Sequence, residues 1–332
     1  MIEKYLKNKS ILVTGGTGSF GQAFVKKILQ MKVKIKKLVI FSRDELKQFE
    51  MDKKFSEKKY SQIRYFLGDV RDKDRLKRAM NEIDIVIHAA ALKHVPKGEY
   101  DPIEFIKTNV YGAQNIIETA LDSKVQKVIA LSTDKAAAPI NLYGASKLCS
   151  DKLFTAANNI KGKKNILFSI VRYGNVFGSR GSIVPFFLDQ IKKGLPMTIT
   201  DEKMTRFNIS LEDGVKMVLW SIVNSKGGEI FVPKLPSFRV VDLVKALSKN
   251  IKTKIIGIRP GEKIHEDMIT VADSQNTIDI GKYYAILSDP TVVKNKYPKA
   301  KKVKINFSYN SGNNKDFLSI PQLKKEIIKF KK

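Results

Sequence analysis

The sequence predicts an α/β fold built on a doubly wound parallel sheet, and three observations carry the prediction. Short apolar runs recur at regular spacing, the segments between them have helical periodicity, and a glycine-rich turn joins the first run to the first long helical segment. Runs that are apolar almost throughout, rather than alternating, belong to strands covered on both faces, as in a parallel sheet with helices above and below. At 332 residues the chain is long enough for one large α/β unit or two lobes.

Taken in order, the expected strands are "SILVTG" (10–15), "KKLVIFS" (36–42), "IRYFLGD" (63–69), "IDIVIHAAA" (83–91), "KVIALST" (127–133) and "ILFSIVRYGNV" (166–176). Between them, "QAFVKKILQM" and "AQNIIETALD" repeat apolar residues on one helical face. Residues 1–175 are therefore expected to form the first unit. After about residue 176 the pattern breaks into loops with Pro and Gly, among them "FGSRGSIVP", "KKGLPMTITDEKMTRF" and "IGIRPGEKIHE". Residues 176–332 are expected to form mainly a smaller lobe overhanging the carboxyl ends of the strands, where open α/β sheets bind ligands, with some segments returning to the first unit. The terminal "QLKKEIIKFKK" reads as a short amphipathic helix packed on the surface.

Composition excludes several classes. Lys and Arg outnumber Asp and Glu by 61 to 33, a net charge of +28, which invites a nucleic-acid reading. The lysines are spread along the whole chain, however, with no arginine-rich run and no aromatic RNA-binding motif, so a solvated surface biased toward anionic ligands explains the charge better. The single cysteine, Cys149, can form no intrachain disulfide, which fits a reducing compartment. The N-terminus lacks the apolar core of a secretory signal, and no segment offers about 18 uncharged apolar residues. A cytoplasmic protein with no membrane partner is the expectation.

The turn "ILVTGGTGSFGQAF" places Gly15, Gly18 and Gly21 between a strand and a helix, so that the backbone can approach a pyrophosphate at the helix N-terminus. Thr17, Ser19 and Phe20 belong to the same cradle, and Ala89 after the fourth strand is assigned to the same site. At the end of the second strand, where the adenosine ribose of a dinucleotide falls, an acid favours NAD and an arginine favours the 2′-phosphate of NADP. Arg43 after Ser42, with Lys47 a turn later, favours NADP, and Asp44 pulls the other way. Asp69 and Val70, closing the third strand, are placed to meet the adenine or to cap the strand.

The stretch "LSTDKAAAPINLYGASK" (131–147) carries the chemistry. Tyr143 and Lys147 lie one helical turn apart on one face. A nearby ammonium favours phenolate, which predicts a lowered Tyr143 pKa so that the phenol can accept a hydroxyl proton, with Thr133 sharing the hydrogen bond. Oxidation alone does not need Asp134 and Lys135. They suit a scheme in which a sugar C4 hydroxyl is oxidised, a base removes the acidified C5 hydrogen, an acid protonates the departing C6 hydroxyl, and the hydride returns to C6. Lys135 can be that base only with a pKa far below its usual value, and Asp134 can be the acid only if it holds a proton, so the two are expected to titrate as a coupled unit. His88, inside an apolar strand, reads as a core residue, His94 as a residue of the cleft, and His265 lacks the second histidine of a zinc helix; no metal is expected.

The segment TGGTGSFG, the Ser-Thr strand end and the YxxxK pair resemble the extended short-chain dehydrogenase/reductase family over essentially the whole chain. The resemblance implies a Rossmann-type cofactor domain with a nucleotide-sugar-binding lobe. "STDKAAAPINLYGASK", with "AALKHVP" (90–96), "VRYGNVFGSRGS" (171–182) and "IRPGEKIHE" (258–266), resembles the inverting UDP-N-acetylglucosamine 4,6-dehydratases in particular. That group implies an NADP-dependent lyase acting on UDP-N-acetylglucosamine with inversion at C5. It also implies a product on the way to pseudaminic acid for flagellin or surface glycosylation, and a homo-oligomer as large as a hexamer. By the same resemblance Lys135 is the C5 base, Asp134 the acid, Tyr143 with Lys147 the redox pair, and Lys93, Asn175, Thr200, Arg259 and Glu262 the substrate contacts, with Arg259 on the UDP diphosphate. Retaining relatives carry Asp-Glu in place of Asp134-Lys135, and membrane-anchored ones carry Met in place of Tyr143. A nucleotide-sugar 4-epimerase or reductase, for which Tyr143 and Lys147 suffice, stands as the alternative, and a non-catalytic NADP-binding protein as a third.

Overall fold

The computed structural model describes residues 1–179, 181–248, 252–289, 291 and 296–331; Arg180, in the fourth quoted motif, lies outside them. The first part of the chain runs α1 (Ile2–Leu6), β1 (Ser10–Thr14), α2 (Ser19–Gln30), β2 (Lys37–Ser42), α3 (Glu45–Lys54), β3 (Ile63–Leu67), α4 (Lys73–Ala79), β4 (Ile85–His88), α5 (Val95–Tyr100), α6 (Pro102–Phe105), α7 (Gly112–Leu121), β5 (Lys127–Thr133), α8 (Leu142–Ile160) and β6 (Leu167–Tyr173). It continues through α9 (Ile183–Lys192), β7 (Met197–Ile199), β8 (Thr205–Phe207), α10 (Leu211–Asn224), β9 (Glu229–Pro233), β10 (Ser237–Arg239), α11 (Val240–Leu247), β11 (Thr253–Ile255), β12 (Asp267–Ile269), β13 (Thr277–Asp279), β14 (Tyr283–Leu287), β15 (Lys301–Lys302) and β16 (Tyr309–Asn310) to a closing helix, Ile320–Lys331.

All six expected strands are present, and the sheet is of the Rossmann type. Its order is β3-β2-β1-β4-β5-β6, every neighbouring pair parallel. Alternate strand residues face opposite helix layers, as the pleat requires. Ile11, Val13, Ile40, Ile87 and Ile129 pack with Phe24 and Ile28 of α2 and with Val218 and Ile222 of α10. Leu12, Val39, Phe41, Val86 and Val128 pack with Ile116 and Ile117 of α7 and Phe154 of α8. A strand buried on both faces has no polar position to spare, which is why these runs read as continuous apolar segments.

The chain beyond residue 176 is split between two places. One part builds a separate small core from Val184, Phe187, Met197, Phe238, Leu243 and, on the closing helix, Leu323 and Ile327. The rest rejoins the sheet: β9 pairs parallel with β6, β14 antiparallel with β9, and β13 with β14 and β15. Short segments such as "EIFVP" and "YYAIL" lack the repeated strand-helix alternation that marks the first half, so spacing did not show which segments return.

The sheet positions the site through its order. The chain travels outward from β1 to β3, then crosses to β4 on the other side, and the crevice of such a sheet opens where the order reverses, at the carboxyl ends of β1 and β4. Thr14 is in register with His88, and Thr133 with Tyr173, so the residues that follow these strands emerge along one edge.

Candidate active site

A cleft of about 800 Å³ runs along that edge. Its walls include Gly15, Thr17, Gly18, Ser19, Phe20 and Gly21 at one end, with Ser42, Arg43, Asp44, Lys47, Asp69, Val70 and Ala89. At the other end stand Lys93, Thr133, Lys135, Tyr143, Lys147 and Asn175. Asp134, Thr200, Arg259 and Glu262 do not line it.

The first end is built to receive an anion. The N-cap of α2 is Gly18, and no side chain caps the helix, so its first amide hydrogens stay open toward the cleft. Gly21 lets the helix sit against the turn: a Cβ there would lie 2.3 Å from the carbonyl oxygen of Gly16. These residues could hold the pyrophosphate of a dinucleotide. Gly21→Ala is accordingly expected to weaken dinucleotide binding roughly tenfold or more, about 1.4 kcal/mol, in a fluorescence titration.

The charges at the ribose position are partly committed. Asp44 is the N-cap of α3, accepting a hydrogen bond from the Lys47 amide at 3.0 Å, and its carboxylate also pairs with the Lys47 ammonium. Arg43 is half exposed, 3.8 Å from Asp69, and Asp69 is held by the Arg71 amide and guanidinium. Arg43 and Lys47 both border the cleft, Lys47 tied to Asp44 and Arg43 the more loosely paired, and Asp69 both borders the cleft and holds Arg71 at the strand end.

The second end is assembled by two elements. Asp134, Lys135 and Ala136 form a single 3₁₀ turn directly after β5. Asn141 caps α8 through the Gly144 amide at 2.8 Å, and the first turn of α8 presses onto the 3₁₀ turn so closely that a Cβ on Gly144 would lie 2.2 Å from the Lys135 carbonyl oxygen. This contact puts Tyr143 beside Thr133 and Lys135. Asn109, in a π-helical segment, ties α8 to the loop after β4: it donates to Ser146 and to the Leu92 carbonyl at 3.0 Å and accepts from the Leu92 amide, holding Lys93 on the wall.

Two electrostatic expectations are overturned. The Tyr143 phenol is not lowered but pushed up to about 12, because burial outweighs the help it receives from Lys135 and from the Thr133 hydroxyl. Lys147 does not supply the missing stabilisation; its buried ammonium donates to the Leu131 carbonyl at 2.8 Å. Lys135 is likewise not lowered. Burial disfavours its ammonium, but Asp134 at 3.1 Å and Glu266 at 3.0 Å outweigh burial and raise it. Two carboxyls, rather than further cations, are its nearest charged partners.

Asp134 is fully buried, behind the wall. Its Oδ1 accepts from the Thr133 hydroxyl at 2.9 Å and from Lys135, and burial pushes its carboxyl up, against the pull of Lys135. An acid in that position reaches the cleft only through Thr133 or Lys135, so direct contact with a substrate oxygen is not available to it.

Of the second-lobe residues, Asn175 accepts from Lys135 at 3.3 Å, and Thr200 donates to Glu262 at 3.2 Å, away from the cleft walls. Arg259 is exposed on the loop before Gly261. That loop is fastened to the catalytic turn: Asn141 donates to the Gly261 carbonyl at 2.7 Å and Lys263 to the Ala137 carbonyl at 2.9 Å. The sequence reading missed Glu266, which this loop brings to Lys135, Arg206, which reaches Glu266 from β8, and Asp151, which accepts from Ser132 at 2.7 Å and Arg172 at 3.1 Å beneath the strand end. Asp151 had a signal, since it stands one turn beyond Lys147 as Lys147 stands beyond Tyr143. His88 is a neutral core residue, bonded to Thr14 at 2.9 Å with burial pushing its pKa down to about 3, and His94 lines the cleft.

A family model described as polysaccharide biosynthesis protein matches residues 11–288. The chain is 54% identical over 324 residues to a UDP-N-acetylglucosamine 4,6-dehydratase (inverting) of Campylobacter jejuni subsp. jejuni serotype O:23/36, covering 95% of this chain and 96% of that one. It is 43% identical to a UDP-glucose 4-epimerase of Rickettsia canadensis, covering 85% of this chain and 84% of that one. The X-ray structure of Pen from Bacillus thuringiensis superposes with a TM-score of 0.91 at 37% identity, over 98% of this chain and 99% of that one.

Proposed function

Because this chain belongs to the polysaccharide biosynthesis protein family, within the extended short-chain dehydrogenases/reductases, we propose that it is a lyase acting on UDP-N-acetylglucosamine. The product is UDP-2-acetamido-2,6-dideoxy-β-L-arabino-hex-4-ulose, formed by loss of water across C5 and C6 with inversion at C5. One observation carries this reading: Lys135 stands on the cleft wall with Tyr143 and Thr133, a proton-transfer group beyond what exchange at C4 alone needs.

A nicotinamide dinucleotide held along Gly15–Gly21 and Arg43 would supply the hydride acceptor and donor for this chemistry, NADP in this reading because Arg43 borders the cleft while the Asp44 carboxylate is engaged as a helix cap. The chain's own residues handle protons and position. Tyr143 takes the C4 hydroxyl proton, with the Thr133 hydroxyl sharing that bond. Lys135, once deprotonated, takes the C5 hydrogen acidified by the new ketone; the proton it sheds has a carboxyl oxygen 3.0 Å away on Glu266. Asp134 supplies the proton for the departing C6 oxygen by relay: the Thr133 hydroxyl, which lines the cleft and donates to Asp134 Oδ1 in the resting site, turns to give its own hydrogen to the departing oxygen and takes one from Asp134 in its place. Lys93 and Asn175 hold the sugar, and Thr200, Arg259 and Glu262, which lie off the cleft walls, are assigned to the nucleotide side by resemblance.

Among the described residues no helix is long and apolar enough to cross a membrane. In this reading the enzyme is a cytoplasmic homo-oligomer whose product leads toward pseudaminic acid for flagellin glycosylation. The likeness to a 4-epimerase favours a second reading, in which Asp134 and Lys135 only shape the wall. Incubation with UDP-N-acetylglucosamine and no added reduced cofactor separates the two by mass spectrometry: a product lighter by one water is expected, and an isomer of unchanged mass would establish epimerisation instead.

A further inference from the structure

The Lys135 ammonium has three acceptors for its three hydrogens: Asp134 Oδ1 at 3.1 Å, Glu266 Oε1 at 3.0 Å and Asn175 Oδ1 at 3.3 Å. Two of these are carboxyls, each almost fully buried, and each leaves its other oxygen, Asp134 Oδ2 and Glu266 Oε2, without a partner. Two carboxyls meet this one ammonium and each keeps an oxygen with no hydrogen-bond partner, so protonating one of them lessens the cost of holding both charges out of water.

The surroundings decide which carboxyl keeps it. Glu266 has a second cation, Arg206, whose Nε lies 3.7 Å from Oε1, and Lys263 approaches from its own loop. On the Asp134 side stand the Thr133 hydroxyl and the Tyr143 phenol. Asp134 Oδ2 looks toward Gly174, Met268 and Phe207: a Cβ on Gly174 would lie 2.9 Å from Oδ2 and 3.1 Å from both the Met268 Cε and the Phe207 Cβ. Lys93 is a further cation near Lys135 itself. The cations gather on the Glu266 side and the apolar contacts on the Asp134 side.

Building on the reading of Lys135 as the C5 base, we propose that Glu266 is a positioning residue for the elimination: its carboxylate takes the ionic partnership with Lys135 and Arg206, and its charge keeps Asp134 protonated. The resting site then holds one stored acid and one paired ammonium whose proton can pass to Glu266. The directions of titration agree. Burial, assisted by the Glu266 charge, pushes Asp134 up against Lys135; for Glu266 burial works upward too, but Lys135 and Arg206 overcome it and hold the carboxyl below its usual range. Glu266→Gln removes the competing anion, leaves Lys135 to pair with Asp134, and so costs the site its acid.

The test is infrared difference spectroscopy of the NADP-loaded protein across pH, with Asp134→Asn assigning the protonated-carboxyl band. The wild type should show that band at neutral pH and Asp134→Asn should lose it. In Glu266→Gln it should vanish at neutral pH and return at a pH lower by roughly 1–3 units, the displacement one close charge produces. Formation of the lighter product should fall about tenfold or more at neutral pH, that is about 1.4 kcal/mol, with the alkaline limb of the kcat profile displaced downward by the same interval, and Glu266→Asp should restore both. A band that stays at the wild-type pH in Glu266→Gln, or a kcat lowered equally at every pH, would overturn the proposal. If the glutamine variant does not fold, Arg206→Met tests the same point: Glu266 then competes for the proton, so Asp134→Asn in that background should no longer remove the whole band, and complete removal would count against it. Absence of any turnover in the wild type rejects the lyase reading alone, because the band is read without substrate conversion.

Discussion

Lys135→Ala is expected to abolish solvent deuterium exchange at C5 and product formation together, by roughly 10²–10⁴-fold, the range for loss of a general base. Dinucleotide and UDP-sugar should still bind. Lys135 is the member of the Asp134-Lys135 pair that lines the cleft, and the other amines on that part of the wall, Lys93 and Lys147, stand on different elements. The variant should fold, because neither carboxyl is forced to remain a lone buried anion: Asp134 is already pushed toward its protonated form, and Glu266 keeps Arg206 at 3.7 Å. Lys135→Arg is the informative control. It retains the positive charge and the ion pairs but cannot give up a proton near neutral pH, so it should bind and fold like the wild type and exchange like the alanine variant. Measured exchange at the wild-type rate in either variant would remove Lys135 from the role of base.

Tyr143→Phe should stop the reaction one step earlier. The phenol is the group that takes the C4 hydroxyl proton, and its loss should lower the single-turnover reduction of bound cofactor by about 10²–10⁴-fold. Exchange at C5 should disappear as well, because no ketone forms to acidify that hydrogen. The pH dependence in the wild type follows from the sign of the Tyr143 shift. With a pKa of about 12 in the free chain, the phenol is protonated throughout the neutral range, and the fraction able to accept a proton grows as pH rises toward that value. The oxidation step should therefore accelerate with pH from neutral upward, and the slope should vanish in the phenylalanine variant. A flat profile in the wild type would mean that the bound ligands, not the residues around Tyr143, set its proton affinity. Deuterium placed at C4 should reappear at C6 of the product; its loss to solvent would contradict an internal return.

Much of the site was legible because it is local. Gly15 to Gly21 lie in one turn between β1 and α2, and Thr133, Lys135, Tyr143 and Lys147 lie within 15 residues joining β5 to α8, so the spacing that sequence displays is nearly the spacing in the cleft. The return of β9, β13 and β14 to the sheet was less visible because three- to five-residue strands carry little periodicity. Thr200, Arg259 and Glu262 were assigned by resemblance, and the free chain keeps them off the cleft walls, Thr200 and Glu262 bonded to each other.

The amino-acid order alone determined the parallel sheet, the anion-receiving turn and the row of reactive side chains from Thr133 to Lys147, since each depends on the period of a strand or helix and on the reach of neighbouring residues. The protonation states were decided only in three dimensions. Whether Lys135 is an ammonium and Tyr143 a phenol turns on how little water reaches them and on Glu266 and Arg206, which lie more than 70 residues further along the chain: Glu266 meets Lys135 because the segment after Gly261 is fastened over the catalytic turn, and Arg206 joins Glu266 from β8. Charge–charge energies vary with distance and local dielectric, and neither quantity is written in the spacing of residues along a chain.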